Sequence, residues 1–165
     1  MAAQDASAPP QSLYGEEVTA WLAKHDVKPP KDVDPWGSCD VVRDVALFCR
    51  GAPMESLSTG ESIFPLRVVL AKNGLVLTAP IAAGPLDSLV EPGENADDDQ
   101  YIILDASLDA AATTLTIAER PGKTCDQILA QYKSAEMAGH RRMVQKACAA
   151  RGRYTLQNGK LVRAP

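Results

Sequence analysis

Residues 63–78 read IFPLRVVLAKNGLVLT and carry the clearest β-sheet signal of the chain. Two apolar runs flank Asn73-Gly74, and an Asn-Gly pair between apolar runs is the strongest short-range signal for a β-hairpin. The stretch therefore predicts two antiparallel strands, at 63–70 and 75–78.

A second Asn-Gly pair, Asn158-Gly159, lies between residues 153–157 and 160–163 and predicts another hairpin. Runs of β-branched and apolar residues predict the remaining strands. These strands are 39–49, 101–105 and 113–118. Because strands joined by tight turns pair antiparallel, we expect one antiparallel sheet of about five to seven strands.

Two helices are predicted beside the sheet. Thr124 and Gln127 form a capping-box pattern, and a helical pattern follows over 125–150. Ser12 is a suitable N-cap for a shorter helix over 13–25. We expect the long C-terminal helix to cover one face of the sheet, so the predicted fold class is α+β.

The chain has 165 residues, a usual size for one domain. Residues 1–11 are predicted to form a disordered tail, and residues 12–38 are predicted to form the N-terminal helix and a proline-rich connector. Residues 39–165 predict a single α+β domain. No apolar run approaches the roughly 18 residues of a membrane span, so we do not expect the protein to span a membrane.

The chain contains four cysteines, Cys39, Cys49, Cys125 and Cys148. No CxxC pair occurs and the chain has only 2 histidines, so neither a metal site nor a cofactor is predicted. The even number favours two structural disulfides, and four buried thiols are the alternative.

Geometry restricts how the cysteines can pair. One continuous helix holds Cys125 and Cys148 about 35 Å apart, and one extended strand holds Cys39 and Cys49 about 33 Å apart. A disulfide requires Cα atoms within about 7 Å. We therefore expect each of the first two cysteines to pair with one of the last two, in either combination. A hinge at Gly139 is the alternative that permits pairing within the helix. A reversal of the chain within 39–49 is the alternative that permits Cys39 to pair with Cys49.

The first ten residues are small, polar and proline-containing, without an apolar segment. They resemble the start of a mature exported protein whose signal peptide has been removed, and an ordinary disordered tail is the alternative. Together with the predicted disulfides, this favours a periplasmic or secreted location.

The net charge of −4 conceals an uneven distribution. Residues 1–119 carry a net charge of −12, whereas residues 120–165 carry +8. The basic segment either neutralises the acidic body or binds an anionic partner, and Arg141, Arg142 and Lys146 are the candidate surface for such a partner. Nucleic acid is not expected, because the chain is acidic overall and no aromatic residues interleave the basic ones.

Other candidate sites carry weaker signals. Residues 91–99 read EPGENADDD, whose oxygen ligands suit Ca²⁺ but whose spacing does not match an EF-hand, so a solvated loop is favoured. His140 stands beside two arginines within the predicted helix, and His25 extends an apolar stripe, which favours a structural role. The chain contains no GxSxG motif and no glycine-rich phosphate loop.

We therefore favour a non-enzymatic binding protein outside the cytoplasm, of the inhibitor, immunity-protein or envelope-assembly type, on a scaffold held by disulfides. It is expected to meet another protein through its loops at 51–61 and 79–99 or through the basic helix surface. One alternative is a small hydrolase that uses His140 with a carboxylate of the acidic loop. Another is a lipid or small-molecule carrier. Its expected cavity is lined by Val69, Ile103, Leu129 and Met143.

Overall fold

The computed structural model describes residues 11–29, 37–58, 60–85, 102–122 and 124–165, without the side chains of residues 85, 102 and 103. Most of the predicted N-terminal tail and the acidic stretch 91–99 lie outside these ranges. None of the helices within them is long and apolar enough to cross a membrane.

The predicted α+β fold with a long C-terminal helix is wrong. Among the described residues the structure is mostly β, with 45% strand and 22% helix, and it forms two antiparallel sheets with short helices only. The described ranges contain ten strands, more than the five to seven expected.

The strands have the following bounds. The first sheet contains β1 (Ser12–Tyr14), β2 (Ser38–Val42), β3 (Ala46–Arg50), β4 (Glu55–Ser56), β5 (Glu61–Leu70) and β6 (Gly74–Pro85). The second sheet contains β7 (Ile102–Leu108), β8 (Thr114–Glu119), β9 (Gly152–Gln157) and β10 (Lys160–Arg163).

The strands pair antiparallel in chain order from β1 to β10, except that β4 pairs with β5 beyond the end of β3. The two sheets join where β6 pairs with β7 over two residues. At the far end of the second sheet, β10 lies against β6. The sheets therefore enclose a common core.

Residues 39–49 form a hairpin rather than one strand. Arg43 and Asp44 adopt φ values of 49° and 56°, a region that non-glycine residues seldom occupy, and they reverse the chain between β2 and β3. Cys39 is thereby placed directly opposite Cys49, and the two form a disulfide with Cα atoms 4.0 Å apart.

The predicted helix over 125–150 is broken into separate pieces. Helix α2 (Cys125–Leu129) is followed by a 3-10 turn, Ala135–Met137, and by helix α3 (Ala138–Cys148). The amides of Gln131 and Tyr132 bond to carbonyls three residues back, so α2 tightens and ends. Ser134 is extended, with φ −77° and ψ 154°, and a new helical stretch begins after it.

This break brings Cys125 and Cys148 together. They form the second disulfide with Cα atoms 6.0 Å apart, and no cysteine is free. Both expected cross-pairings are therefore wrong, because both assumed one straight helix and one straight strand. The permitted alternative, pairing within the helical region, occurs through a break near Ser134 rather than through a hinge at Gly139.

Other sequence signals are confirmed in part. Thr124 and Gln127 form the predicted capping box. Ser12, however, lies in β1 opposite Asp40 instead of capping a helix. Helix α1 (Glu16–Lys24) is shorter than predicted and follows Gly15, whose φ of 52° suits glycine at the turn into the helix.

Both predicted Asn-Gly hairpins are present. Asn158 and Gly159 have positive φ and form a two-residue turn between β9 and β10. The turn between β5 and β6 is one residue longer, since Leu70 pairs with Gly74, and here Lys72 adopts the positive φ of 73°.

Two hydrophobic clusters occupy opposite faces of the first sheet. Neighbouring strand residues alternate between them, so Val68 joins the larger cluster and Val69 the smaller one. The larger cluster lies between the sheets and includes α2, α3 and the Cys125–Cys148 disulfide. The smaller cluster lies beneath α1 and includes the Cys39–Cys49 disulfide.

Candidate interaction surface

The segment 51–58 and helix α3 lie against each other. Lys146 Nζ donates to Glu55 Oε2 at 2.7 Å, which links the helix to β4. Within the first turn of the helix, a Cβ at position 139 would lie 3.1 Å from Leu57 Cδ1. The loop and the basic helix surface, which the sequence suggested as separate candidate sites, are therefore one contiguous surface.

The sequence holds the loop in place through β5. The amide of Met54 donates to the carbonyl of Ile63 at 2.8 Å, and the amide of Leu57 donates to the carbonyl of Glu61 at 2.7 Å. The hydroxyls of Ser56 and Ser62 are 2.8 Å apart, and Ser62 is only 1% exposed. The segment is thus attached by backbone and side-chain bonds on both sides of β4.

Helix α3 has one buried side and one exposed side. Its buried residues are Met143, Val144, Ala147 and Cys148. Gly139, Arg142 and Lys146 follow one another at helical spacing and face the loop, as the Glu55 and Leu57 contacts show. Arg141 is exposed on the neighbouring stripe. Of the three predicted cations, Arg142 and Lys146 therefore border the loop, and Arg141 is exposed to solvent.

Glycine at position 139 permits this close approach. Any side chain there meets Leu57 at a distance tighter than ordinary van der Waals contact. Gly139 lies within the first turn of α3 and does not act as a hinge. Its role in the fold is to let the loop lie directly on the helix.

The electrostatics of the surface depend on Glu55. The hydrogen bond from Lys146, followed by the charge of Lys146, lowers the pKa of this carboxyl, and Arg142 adds a smaller effect in the same direction. The carboxylate is therefore ionised and balances Lys146. Arg141 and Arg142 add two further positive charges to the surface, and Glu136, on the turn before α3, adds one negative charge.

Two methionines give the surface an apolar component. Met54 is 49% exposed and Met137 is 39% exposed, which is unusual for large apolar side chains. Met54 precedes the Glu55 contact and Met137 precedes the Gly139 contact, so they lie at opposite ends of the loop-helix contact. Methionine and arginine are both enriched in protein–protein interfaces.

The acidic body and the basic C-terminal segment neutralise each other in part. Besides the Lys146–Glu55 pair, Arg120 Nε contacts Asp105 Oδ1 at 2.8 Å and Arg151 pairs with Glu119. Three cations of the basic segment are thus paired with carboxylates of the acidic one. Arg141 and Arg142 form no ion pair within the described ranges.

His140 lies beside the surface, next to Gly139 in α3. Its ring packs edge-on against Tyr132, with centroids 6.1 Å apart, and it is half-buried. The carboxylates at 91–99 that the hydrolase hypothesis requires lie outside the described residues, so that hypothesis stays a prediction. Within the described ranges, no group of three or more His, Cys, Asp or Glu residues could hold a metal ion.

His25 takes part in a polar cluster that sequence reasoning missed. Its ring packs on Trp21 with centroids 4.1 Å apart, and Asp44 Oδ1 lies 3.2 Å from His25 Nε2 and 3.1 Å from Trp21 Nε1. Desolvation raises the pKa of Asp44, but the hydrogen bonds from His25, Lys24 and Trp21 outweigh it and lower the pKa overall. The cluster attaches α1 to the turn between β2 and β3.

The residues proposed to line a carrier cavity do not share one space. Leu129 and Met143 belong to the larger cluster, whereas Val69 belongs to the smaller cluster on the other face of the sheet. The side chain of Ile103 lies outside the described part of the structure. Val69 therefore does not line a cavity together with Leu129 and Met143, and this part of the prediction is wrong.

Comparisons with protein-family models, with curated proteins and with solved structures find no match to this chain. The functional argument consequently depends on the chain's own residues.

Proposed function

We propose that the protein is a binding protein of an oxidising compartment, periplasmic or secreted, and that it acts by contact with a protein partner. The partner-binding surface consists of Met54, Leu57, Met137, Arg141 and Arg142. The observation that carries the proposal is that loop 51–58 and α3 join two exposed methionines and two arginines in one surface.

The two disulfides support the choice of compartment. All four cysteines are bonded within the chain, and structural disulfides persist in oxidising environments and are rare in the cytosol. Both bonds are buried in hydrophobic clusters, where they reinforce the fold. A rigid scaffold lowers the ordering cost of association, which is an advantage for a protein that binds with its surface.

The chemistry of the surface indicates the kind of partner. Arg141 and Arg142 present positive charge without an ion-pair partner in the described ranges, so they complement carboxylates. The exposed methionines flank the contact and adapt to an apolar side chain of irregular shape. We therefore expect an acidic protein surface that also offers an apolar residue.

Site-specific photo-crosslinking in the native compartment tests the proposal. A photoreactive side chain at Met54 and, separately, at Met137 is expected to capture the same partner protein. The same group at Val162, an exposed apolar residue on β10, serves as the position control. Capture of one partner from both methionines but not from position 162 supports the surface, and equal capture from all three positions contradicts it.

A matched pair of charge reversals sharpens the test. Arg141→Glu is expected to weaken the captured complex by about tenfold or more, because it places a carboxylate against an acidic partner. Arg153→Glu reverses the charge of another exposed arginine, on β9, and is expected to leave the complex unchanged. If both substitutions weaken binding equally, only the overall charge matters and the proposed surface is wrong.

A further inference from the structure

The two Asn-Gly hairpins converge on one open pocket of about 410 Å³. The turn between β5 and β6 supplies Lys72, and the turn between β9 and β10 supplies Lys160. Lys28, which follows α1, completes the set of three lysines. These turns lie far apart in sequence, so only the fold brings the three lysines to a common pocket.

Specific contacts hold the rim together. The amide of Lys72 donates to the carbonyl of His25 at 3.3 Å, which docks the first turn on the end of α1. Lys160 Nζ donates to the carbonyl of Leu75 at 3.0 Å, which joins the start of β10 to β6. The pocket is therefore built by three elements that contact one another directly.

The backbone at the rim adopts costly conformations. Asp26 and Lys72 have φ values of 58° and 73°, in the left-handed region that non-glycine residues seldom adopt. Asp26 lies just past the end of α1, where its amide donates to the carbonyl of Ala23 and the amide of Val27 donates to the carbonyl of Leu22. Lys72 lies in the turn between β5 and β6. Both conformations therefore belong to chain reversals that shape the rim of the pocket.

The charge of the pocket opposes that of the whole chain. The lining residues include three lysines and one carboxylate residue, Asp26, whereas the chain carries a net charge of −4. Clustered cations in a concave site concentrate anions, and lysine ammonium groups are common phosphate ligands. The lining also includes the apolar side chains of Val27, which is buried, and Leu75, which is half-buried.

We propose that this pocket binds a small organic anion, a phosphate or carboxylate group carried on an apolar body. The lysines hold the anionic group, and Val27 and Leu75 contact the apolar body. The volume falls within the range of small-molecule sites. The pocket shares no residue with the partner-binding surface, so this inference stands independently of the proposed function.

Titrations followed by backbone amide NMR test the proposal, with inorganic phosphate, phenyl phosphate and benzoate as probes. We expect phenyl phosphate to produce saturable shifts at residues 72–75 and at Lys160. It should bind more tightly than inorganic phosphate, because only phenyl phosphate contacts the apolar lining. Benzoate shows whether a carboxylate suffices. Equal affinity for phosphate and phenyl phosphate indicates adventitious ion binding only and overturns the proposal.

Lysine substitutions locate the binding. The Lys72→Gln, Lys160→Gln double variant is expected to bind phenyl phosphate more weakly, by about fivefold for each amine removed. Lys133→Gln with Arg153→Gln removes the same charge from exposed residues outside the pocket and should leave the affinity unchanged. If the two double variants lose affinity equally, the pocket is not the site.

A variant that gains affinity removes any ambiguity from misfolding. Asp26→Asn deletes the carboxylate that opposes the anion and keeps a residue that tolerates a left-handed φ. We expect phenyl phosphate to bind about fivefold more tightly. An unchanged or weaker affinity contradicts the proposed placement of the anionic group.

Discussion

The smaller and the larger hydrophobic cluster each contain one disulfide, but the two bonds do different things. In the smaller cluster, Cys39–Cys49 joins two neighbouring strands that already pair through their backbones. In the larger cluster, Cys125–Cys148 joins two helices across a break, without any strand pairing between them. The first bond reinforces a contact that already has backbone pairing, whereas the second bond reinforces the packing of two helices that have no strand pairing between them.

This difference shows where the fold depends on its crosslinks. The hairpin of β2 and β3 has backbone hydrogen bonds, the Asp44 contacts with α1 and a hydrophobic cluster in support. Helices α2 and α3 depend on burial against the sheets and on their disulfide. We therefore expect the two regions to respond unequally to the same substitutions.

The largest effect is expected from the Cys125→Ala, Cys148→Ala double variant. The bond closes a segment of sequence separation 23, for which loop-closure entropy corresponds to about 3.5 kcal/mol of unfolding free energy. Urea unfolding of the oxidised parent and of the variant measures the loss. A loss below about 1 kcal/mol shows that packing alone holds the helices and removes the distinction between the clusters.

The Cys39→Ala, Cys49→Ala double variant is expected to lose less, about 2.7 kcal/mol, because its sequence separation is 10. Strand pairing should keep the hairpin in register without the bond. Hydrogen exchange of the β2 and β3 amides checks this, since protection there should persist. A greater loss than in the other double variant reverses the comparison.

Removing a single hydrogen bond from the larger cluster should lower the unfolding free energy by a smaller amount. Tyr154 Oη donates to the carbonyl of Ala150 at 2.6 Å, just beyond the end of α3, and Tyr154 is only 7% exposed. Tyr154→Phe leaves that carbonyl without its donor and should lower the unfolding free energy by about 1 kcal/mol. Thermal unfolding measures the change, and an unchanged melting temperature shows that water replaces the hydroxyl.

The smallest effect concerns acid stability in the smaller cluster. Because the pKa of Asp44 is lower in the folded protein than in the unfolded chain, its ionised form stabilises the fold. This contribution is fully present above the unfolded pKa of about 3.9 and disappears as the pH falls through the folded pKa. Asp44→Asn should therefore flatten the loss of stability between about pH 5 and pH 2.

Asparagine tolerates the left-handed φ of position 44, so the turn itself is preserved. Glu55→Gln is the comparison variant in the other region, since the carboxyl of Glu55 also has a lowered pKa but belongs to the loop on α3. Each variant should flatten the acid limb separately. If Asp44→Asn follows the parent curve at every pH, the carboxylate does not link α1 to its turn.

Local signals in the sequence predicted local structure well. Asn158-Gly159 suits a two-residue turn because both positions adopt positive φ, and Thr124 with Gln127 caps α2 through contacts three residues apart. Such features depend on neighbouring residues only. They could therefore be identified without knowledge of the rest of the fold.

The chain reversals that corrected the cysteine pairing depend on distant contacts. Arg43 and Asp44 adopt positive φ without a glycine, and the Asp44 bonds to Trp21 and His25 help to hold them there. The polar Arg-Asp pair inside an apolar run was the available signal. At the other reversal, Ser134 within a helical pattern was the corresponding sign of a new helix start.

In the candidate surface, too, local features could be predicted from the sequence and contacts between distant residues could not. The cationic residues and the loop could each be selected from the sequence, but their contact could not. Lys146 and Glu55 are separated by 91 residues, and only the folded sheet places them 2.7 Å apart. The exposure of Met54 and Met137 likewise follows from the tertiary structure, because apolar residues are expected in the core.

The order of the cysteines has a consequence for biosynthesis. Four cysteines allow three connectivities, and this protein uses the one in which the first pairs with the second and the third with the fourth. When the chain enters an oxidising compartment N-terminus first, Cys39 and Cys49 can close before Cys125 arrives. In the oxidising compartment proposed above, closure in the order of arrival would give the native connectivity.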